Sequence, residues 1–255
     1  MNAPDAPAAL ELHGLRKTFG DKVAVDDVDL TIPRGSFFGL VGPNGAGKTT
    51  SLSMAVGLLR PDRGTATVLG HDVWRDPVAA KTVLGVLPDA ESLPQRLTGA
   101  ELLGYLGLLR GLDPAVVTAR SAELLQVLDM QDAAGRLVAD YSTGMRKKIA
   151  LAVALLHGPD VLVLDEPFEA VDPVSASTIR SILHGFIRSG GTIVFSSHVM
   201  ALVEQLCDHV AVLANGRVRS AGSLDEVRGG HTLDEAFADL VGTSVDRAEL
   251  SWFAS

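Results

Sequence analysis

The chain has 255 residues, of which 47% are hydrophobic and 21% charged, and its formal net charge is −9 with histidine neutral. That length and balance suit a soluble globular protein with one large core or two small ones, and the acidic excess argues against the basic stripe by which general nucleic-acid binders hold phosphate. A single cysteine, Cys207, excludes an internal disulfide and suits a reducing compartment.

In chain order, the opening MNAPDAPAAL lacks the basic region and apolar stretch of a secretory signal. No later run reaches the roughly 18 apolar residues that a membrane-spanning helix needs, so the expectation is a cytoplasmic protein. Val28, Leu30 and Ile32 alternate with Asp27, Asp29 and Thr31, which predicts a half-buried strand closed by a turn at Pro33-Arg34-Gly35. SFFGLV (36–41) is apolar throughout, as a strand covered on both faces should be, and it leads into a glycine-rich loop. A helix is predicted over SLSMAVGLL, then a turn at 61–64 and a strand in TATVLG. From about Gln95 to Gly158 the pattern is helical and leucine-rich, with Leu102, Leu103, Leu106 and Leu109, then Leu124, Leu125 and Leu128, on shared faces. That block reads as an inserted helical subdomain.

VLVLDEP, TIVFSSH and VAVLANGRV then each predict a short buried strand, with helices between them and Cys207 as a buried structural thiol. Strands alternating with helices predict an α/β fold with a mostly parallel, covered sheet.

Three motifs carry chemistry. Gly42-Pro43-Asn44-Gly45-Ala46-Gly47-Lys48-Thr49 fits the phosphate-binding P-loop pattern and sits between a buried strand and a helix. Its glycines let backbone N–H groups surround phosphate, and the helix that follows offers roughly half a positive elementary charge. Lys48 is expected to reach the β- and γ-phosphates and Thr49 to ligate Mg²⁺, with Thr50 next in the site. Asp165 ends the strand of VLVLDEP, where ligands of open α/β sheets gather, and is placed to hold Mg²⁺ through water; Glu166 beside it is the candidate general base. His198 ends another apolar strand and can tie a γ-phosphate oxygen, Glu166 and the attacking water into one geometry. A fourth stretch, YSTGMRKKIA (141–150), reads locally as a helix start capped by Ser142.

With these motifs in place the sequence resembles the nucleotide-binding subunit of an ATP-binding cassette (ABC) transporter. The likeness runs from about Leu10 to Gly242, in the family's order of P-loop, helical subdomain, signature, Walker B, D-loop and histidine switch. Tyr141-Ser142-Thr143-Gly144-Met145 stands where the family has LSGGQ. This YSxGM form, with Arg146-Lys147-Lys148 after it, resembles the bacterial ATPases that drive drug, polysaccharide or other lipid-associated export; the ending HTLDEAFADLVG (231–242) is similar to theirs.

The resemblance implies a P-loop NTPase (RecA-like) with an N-terminal antiparallel β subdomain and an inserted helical one at about 95–158. One nucleotide-binding domain would span 8–242, followed by a tail, 243–255, whose Trp252 and Phe253 on otherwise polar residues read as a packing anchor or, alternatively, a contact for partner or membrane. It implies binding of ATP and Mg²⁺ by two subunits in a sandwich. Ser142, Thr143 and Gly144 of one subunit would then face the γ-phosphate on the P-loop of the other, with Asp172 of the D-loop nearby. Phe19 would stack on adenine. Glu166, His198 and Lys48 would be catalytic.

Three positions depart from the family pattern: Asp89 in place of the Q-loop glutamine, still able to meet Mg²⁺ or its water; Thr143 in place of the second signature residue; and Glu169-Ala170-Val171-Asp172 as the D-loop. None removes Lys48, Asp165, Glu166 or His198, so an active ATPase is expected. The implied partners are an integral membrane permease and a second copy or homologous ATPase, which would hold the chain on the inner face of the membrane; no nucleic acid is expected. The alternatives are a soluble ABC ATPase acting on ribosome or nucleic acid, and a weakly catalytic regulatory partner of another cassette.

Overall fold

A computed structural model describes residues 8–88 and 92–242. Asp89 and the tail with Trp252 and Phe253 lie outside the described residues. Strands β1 (Leu10–Phe19) and β2 (Lys22–Ile32) pair antiparallel, with Leu10 opposite Ile32 and Phe19 opposite Lys22. The alternation seen in sequence is the alternation in space: Val28, Leu30 and Ile32 are buried while Asp29 and Thr31 face solvent. β3 (Phe37–Val41) is buried at every position and runs into helix α1 (Lys48–Ala55). β4 (Arg63–Val68) and β5 (His71–Asp72) then complete a four-stranded antiparallel sheet in the order β2-β1-β4-β5.

After α2 (Pro77–Val83) and β6 (Leu84–Val86) come α3 (Gly99–Leu109), α4 (Pro114–Val127) and α5 (Thr143–Leu155). β7 (Val161–Leu164), α6 (Pro173–Arg188), β8 (Thr192–Ser197), α7 (Met200–Leu206), β9 (His209–Ala214) and β10 (Arg217–Ser223) follow, then α8 (Leu224–Arg228) and α9 (Leu233–Val241). Among the described residues no helix is long and apolar enough to cross a membrane.

The second sheet has the order β10-β9-β3-β8-β7-β6 and is parallel except for the β9–β10 pair. β3 lies inside it, and its side chains divide by period two between two cores. Phe37 and Val41 join the core shared with α3, α5 and α6, whereas Phe38 and Leu40 join the core between the sheets. On the first side α7 packs directly on β3: a Cβ at Gly39 would lie 2.8 Å from Val203 and 3.0 Å from the Cys207 sulfur. Cys207 is buried there, as expected, and burial pushes its thiol pKa well up.

Four local expectations change. VAVLANGRV is not one strand: it spans the hairpin of β9 and β10, because Asn215 (φ 52°) and Gly216 (φ 72°) both adopt the left-handed conformation that a tight two-residue turn requires. β6, only three residues long, was not expected. α1 begins at Lys48 and ends at Ala55, earlier than the predicted helix at both ends: Gly47 at φ 104° turns the chain straight into it, and Gly57 at φ 73° leads the chain out of it. Leu109 is 70% exposed instead of sharing the face of Leu102 and Leu103.

His157, between α5 and β7, gives a testable pH response. Its Nε2–H donates to the Leu84 carbonyl at 3.1 Å, and Nδ1 is buried with no hydrogen-bond partner among the described residues. Burial first, and Arg110 next, drives the imidazole pKa from 6.5 down to about 4. The unfolded chain therefore takes up this proton first, so the stability is complete above pH 6.5 and declines as the pH falls toward 4. The carboxylates with moved pKa values, Asp62, Glu101, Asp172, Glu226 and Glu235, are all lowered and so titrate below most of this window. Thermal unfolding from about pH 7 to about pH 5 is expected to show a falling Tm, and a flatter profile in His157→Gln.

Candidate functional site

The P-loop is shaped by its contacts as much as by its composition. Gly45 (φ 80°) and Gly47 (φ 104°) adopt backbone that L side chains rarely do, and a Cβ at Gly47 would lie 2.5 Å from the Ala24 carbonyl oxygen. The Gly216 N–H donates to the Ala46 carbonyl at 3.0 Å, and the Gly216 carbonyl accepts from the Asp26 N–H at 2.8 Å. The hairpin turn thereby joins the P-loop to β2. Lys48, the first residue of α1, is buried but keeps its ammonium on the Gly42 carbonyl at 2.7 Å and the Pro43 carbonyl at 3.4 Å.

That ammonium faces a cleft of about 410 Å³ lined by Phe19, Lys22, Ala24, the loop from Pro43 to Thr50, Glu166, Glu169 and His198. Gly42 lies buried behind this lining. The first turn of α1 opens toward the cleft, so N–H groups with no intrahelical partner are available there to an anion. Phe19 is 51% exposed at the mouth, with the Lys17 ammonium 5.7 Å from its ring centre and tied to Asp62 at 2.8 Å. One face of the ring is thus supported by a cation.

Glu166 stands at the centre of the charges. Its carboxylate is 3.7 Å from the Lys48 ammonium and 3.1 Å from His198 Nδ1. A carboxylate only accepts, so Nδ1 carries the proton of that bond. Glu166 itself has φ 43°, uncommon for a residue with a side chain, and its N–H donates to the Ser196 hydroxyl at 2.9 Å. The same hydroxyl donates to Asp165 Oδ1. Ser196 thus fixes both acidic residues; in sequence it is one of two adjacent serines that close an apolar strand, and nothing there distinguishes it from Ser197.

A second cleft, about 430 Å³, brings Thr49, Asp165, Glu166 and Glu169 together with Lys147 and Pro88. A hydroxyl and carboxylates are the oxygen donors that Mg²⁺ takes, but among the described residues no three acidic, histidine or cysteine side chains gather closely enough to hold a metal ion by themselves.

The signature residues are elsewhere. Ser142 caps α5 as expected, accepting the Met145 N–H at 3.3 Å, and Tyr141 is anchored by a 2.7 Å hydrogen bond to the Ala133 carbonyl. Ser142 and Thr143 are exposed, while Gly144 is buried; a Cβ there would lie 2.7 Å from Asp172 Oδ2 and 2.8 Å from Ser175 Oγ. Asp172 caps α6 through the N–H groups of Ser175 and Val174, and hydrogen bonds from Ser175 above all hold its pKa down. None of Ser142, Thr143, Gly144 and Asp172 lines either cleft.

The chain is similar to known proteins in sequence and in fold. The model of the family described as ABC transporter matches residues 25–169. The chain belongs to that family. Its relatives include the daunorubicin/doxorubicin resistance ATP-binding protein DrrA of Streptomyces peucetius, 38% identical over 220 residues that cover 86% of this chain and 67% of that protein. Another is the Nod factor export ATP-binding protein I of Cupriavidus pinatubonensis, 38% identical over 87% of this chain and 68% of that one. A solved ATP-binding subunit of an ABC transporter superposes with a TM-score of 0.84 at 30% identity, covering 91% of this chain and 99% of that one. The cassette is an ATP-binding ATPase with the mixed α/β fold of that family.

Proposed function

We propose that this cassette hydrolyses ATP in the cleft between Phe19 and His198 and drives a separate membrane permease, most naturally an exporter. One observation supports it above the rest: Lys48, Glu166 and His198 meet within 3.7 and 3.1 Å at the mouth of the P-loop. Phe19 stacks on the base, and the P-loop with Thr50 cradles the phosphates while Lys48 leaves its carbonyl partners for the β- and γ-oxygens. Glu166 accepts the proton of the attacking water as its oxygen bonds to the γ-phosphorus and the bond to ADP breaks. His198 orients that carboxylate through Nδ1; to donate to a γ-phosphate oxygen at the same time, Nε2 must also carry a proton. Thr49 and Asp165 fit Mg²⁺, with Asp89 as a further candidate; when bound, the ion neutralises charge on the phosphate oxygens.

Because the signature lies outside both clefts, Ser142, Thr143 and Gly144 are assigned to the γ-phosphate held by a second subunit, with the D-loop Asp172 of their own chain packed against Gly144. The cassette then comprises 8–242 with the helical subdomain at about 95–158, and works at the inner face of the membrane. Export is the reading because the relatives are named for drug resistance and Nod factor export. Capture with tagged, ATP-trapped protein from detergent-solubilised membranes tests it: an integral membrane protein that stimulates ATP turnover is expected, and ribosomal particles in its place would overturn the assignment.

A further inference from the structure

We propose that Lys147 is a positioning residue for Glu166, acting from the helix that the signature begins. The Lys147 ammonium donates to the Glu166 carbonyl at 3.1 Å, across 19 residues of sequence. That carbonyl also accepts the Glu169 N–H at 3.2 Å, closing the turn that leads away to the D-loop. Both lone pairs of the oxygen are therefore used. On the other side of the residue, the Ser196 hydroxyl accepts the Glu166 N–H at 2.9 Å.

These bonds matter because Glu166 sits at φ 43°, a conformation that persists only where its surroundings hold it. Release of one end lets the peptide rotate, and the carboxylate moves with it, away from His198 and the water it is meant to receive. Lys147 is the one of these supports that comes from α5, which Ser142 caps and whose first turn carries Gly144. The others come from β8 and from the turn itself. A shift of α5 that brings the signature to a phosphate therefore also moves the ammonium that braces the base. Lys147 lines the second cleft with Asp165 and Glu169 and is only partly buried, so its removal leaves no large cavity.

The proposal rests on the assignment of Glu166 as the base, and the test separates the two. Lys147→Met is expected to lower kcat about ten- to hundredfold with KM for ATP and Tm nearly unchanged, since a small misplacement costs rate more than affinity. Lys147→Arg, which can still donate to the carbonyl, is expected to recover most of the rate. In a Glu166→Gln background, Lys147→Met should bring no further loss, because its effect passes through that side chain. A full additional loss in that background, or a fall in Tm with kcat unchanged, would falsify the positioning role. Near-normal turnover of Glu166→Gln alone would instead remove the base assignment.

Discussion

Glu166→Gln is expected to keep ATP binding and to lose turnover by about 10²- to 10⁴-fold, the range that a positioned proton acceptor contributes. The amide oxygen can still accept from His198 Nδ1, now at 3.1 Å from the carboxylate, so the side chain keeps its place. What disappears is the basic oxygen and the carboxylate 3.7 Å from Lys48. With that competitor gone, the Lys48 ammonium turns to the triphosphate at least as readily, and affinity holds or rises. Single-turnover hydrolysis beside equilibrium nucleotide binding distinguishes this from misfolding, which would lower both. A variant that hydrolyses at the normal rate would show that the water is activated by another group.

The second large effect concerns assembly. Lys48→Met and Gly144→Val are each expected to be nearly inactive alone, for different reasons. The first removes the charge aimed at the phosphates. The second forces a branched side chain into the space where even a Cβ would lie 2.7 Å from Asp172 Oδ2, and so distorts the signature, while Gly144 itself lines neither cleft. Gly144→Val should accordingly still bind nucleotide. If each site joins the P-loop of one subunit to the signature of another, a mixture of the two variants rebuilds one sound site in each mixed dimer. Random exchange would then return about a quarter of the wild-type rate in a two-fold symmetric assembly. Two inactive variants that stay inactive on mixing would show that each chain completes its own site.

Much of this site could be read before any coordinates, because its determinants are local. The P-loop is a contiguous run between a fully apolar strand and a helix, and Asp165 and His198 mark the ends of β7 and β8, whose buried residues are equally plain. The strand of Val28, Leu30 and Ile32 has the simplest period available to a sheet with one wet face. What escaped was either too short or too distant. β6 has three residues, too few to display a period. Asn215-Gly216 is an exception, a legible hairpin signal inside VAVLANGRV whose apolar start already reads as a single strand. Ser196 and Lys147 reach Glu166 across 30 and 19 residues, and no spacing rule reports which loop a strand end or a helix flank will meet.

The bond from Gly216 to the P-loop has a thermodynamic consequence. A loop free to wander in solution must give up that freedom when a ligand arrives, and the affinity falls accordingly. Here the carbonyl of Ala46 is held by a turn that is itself joined to Asp26, in the other sheet. The ordering belongs to folding, and ATP meets a cradle whose entropy has already been surrendered.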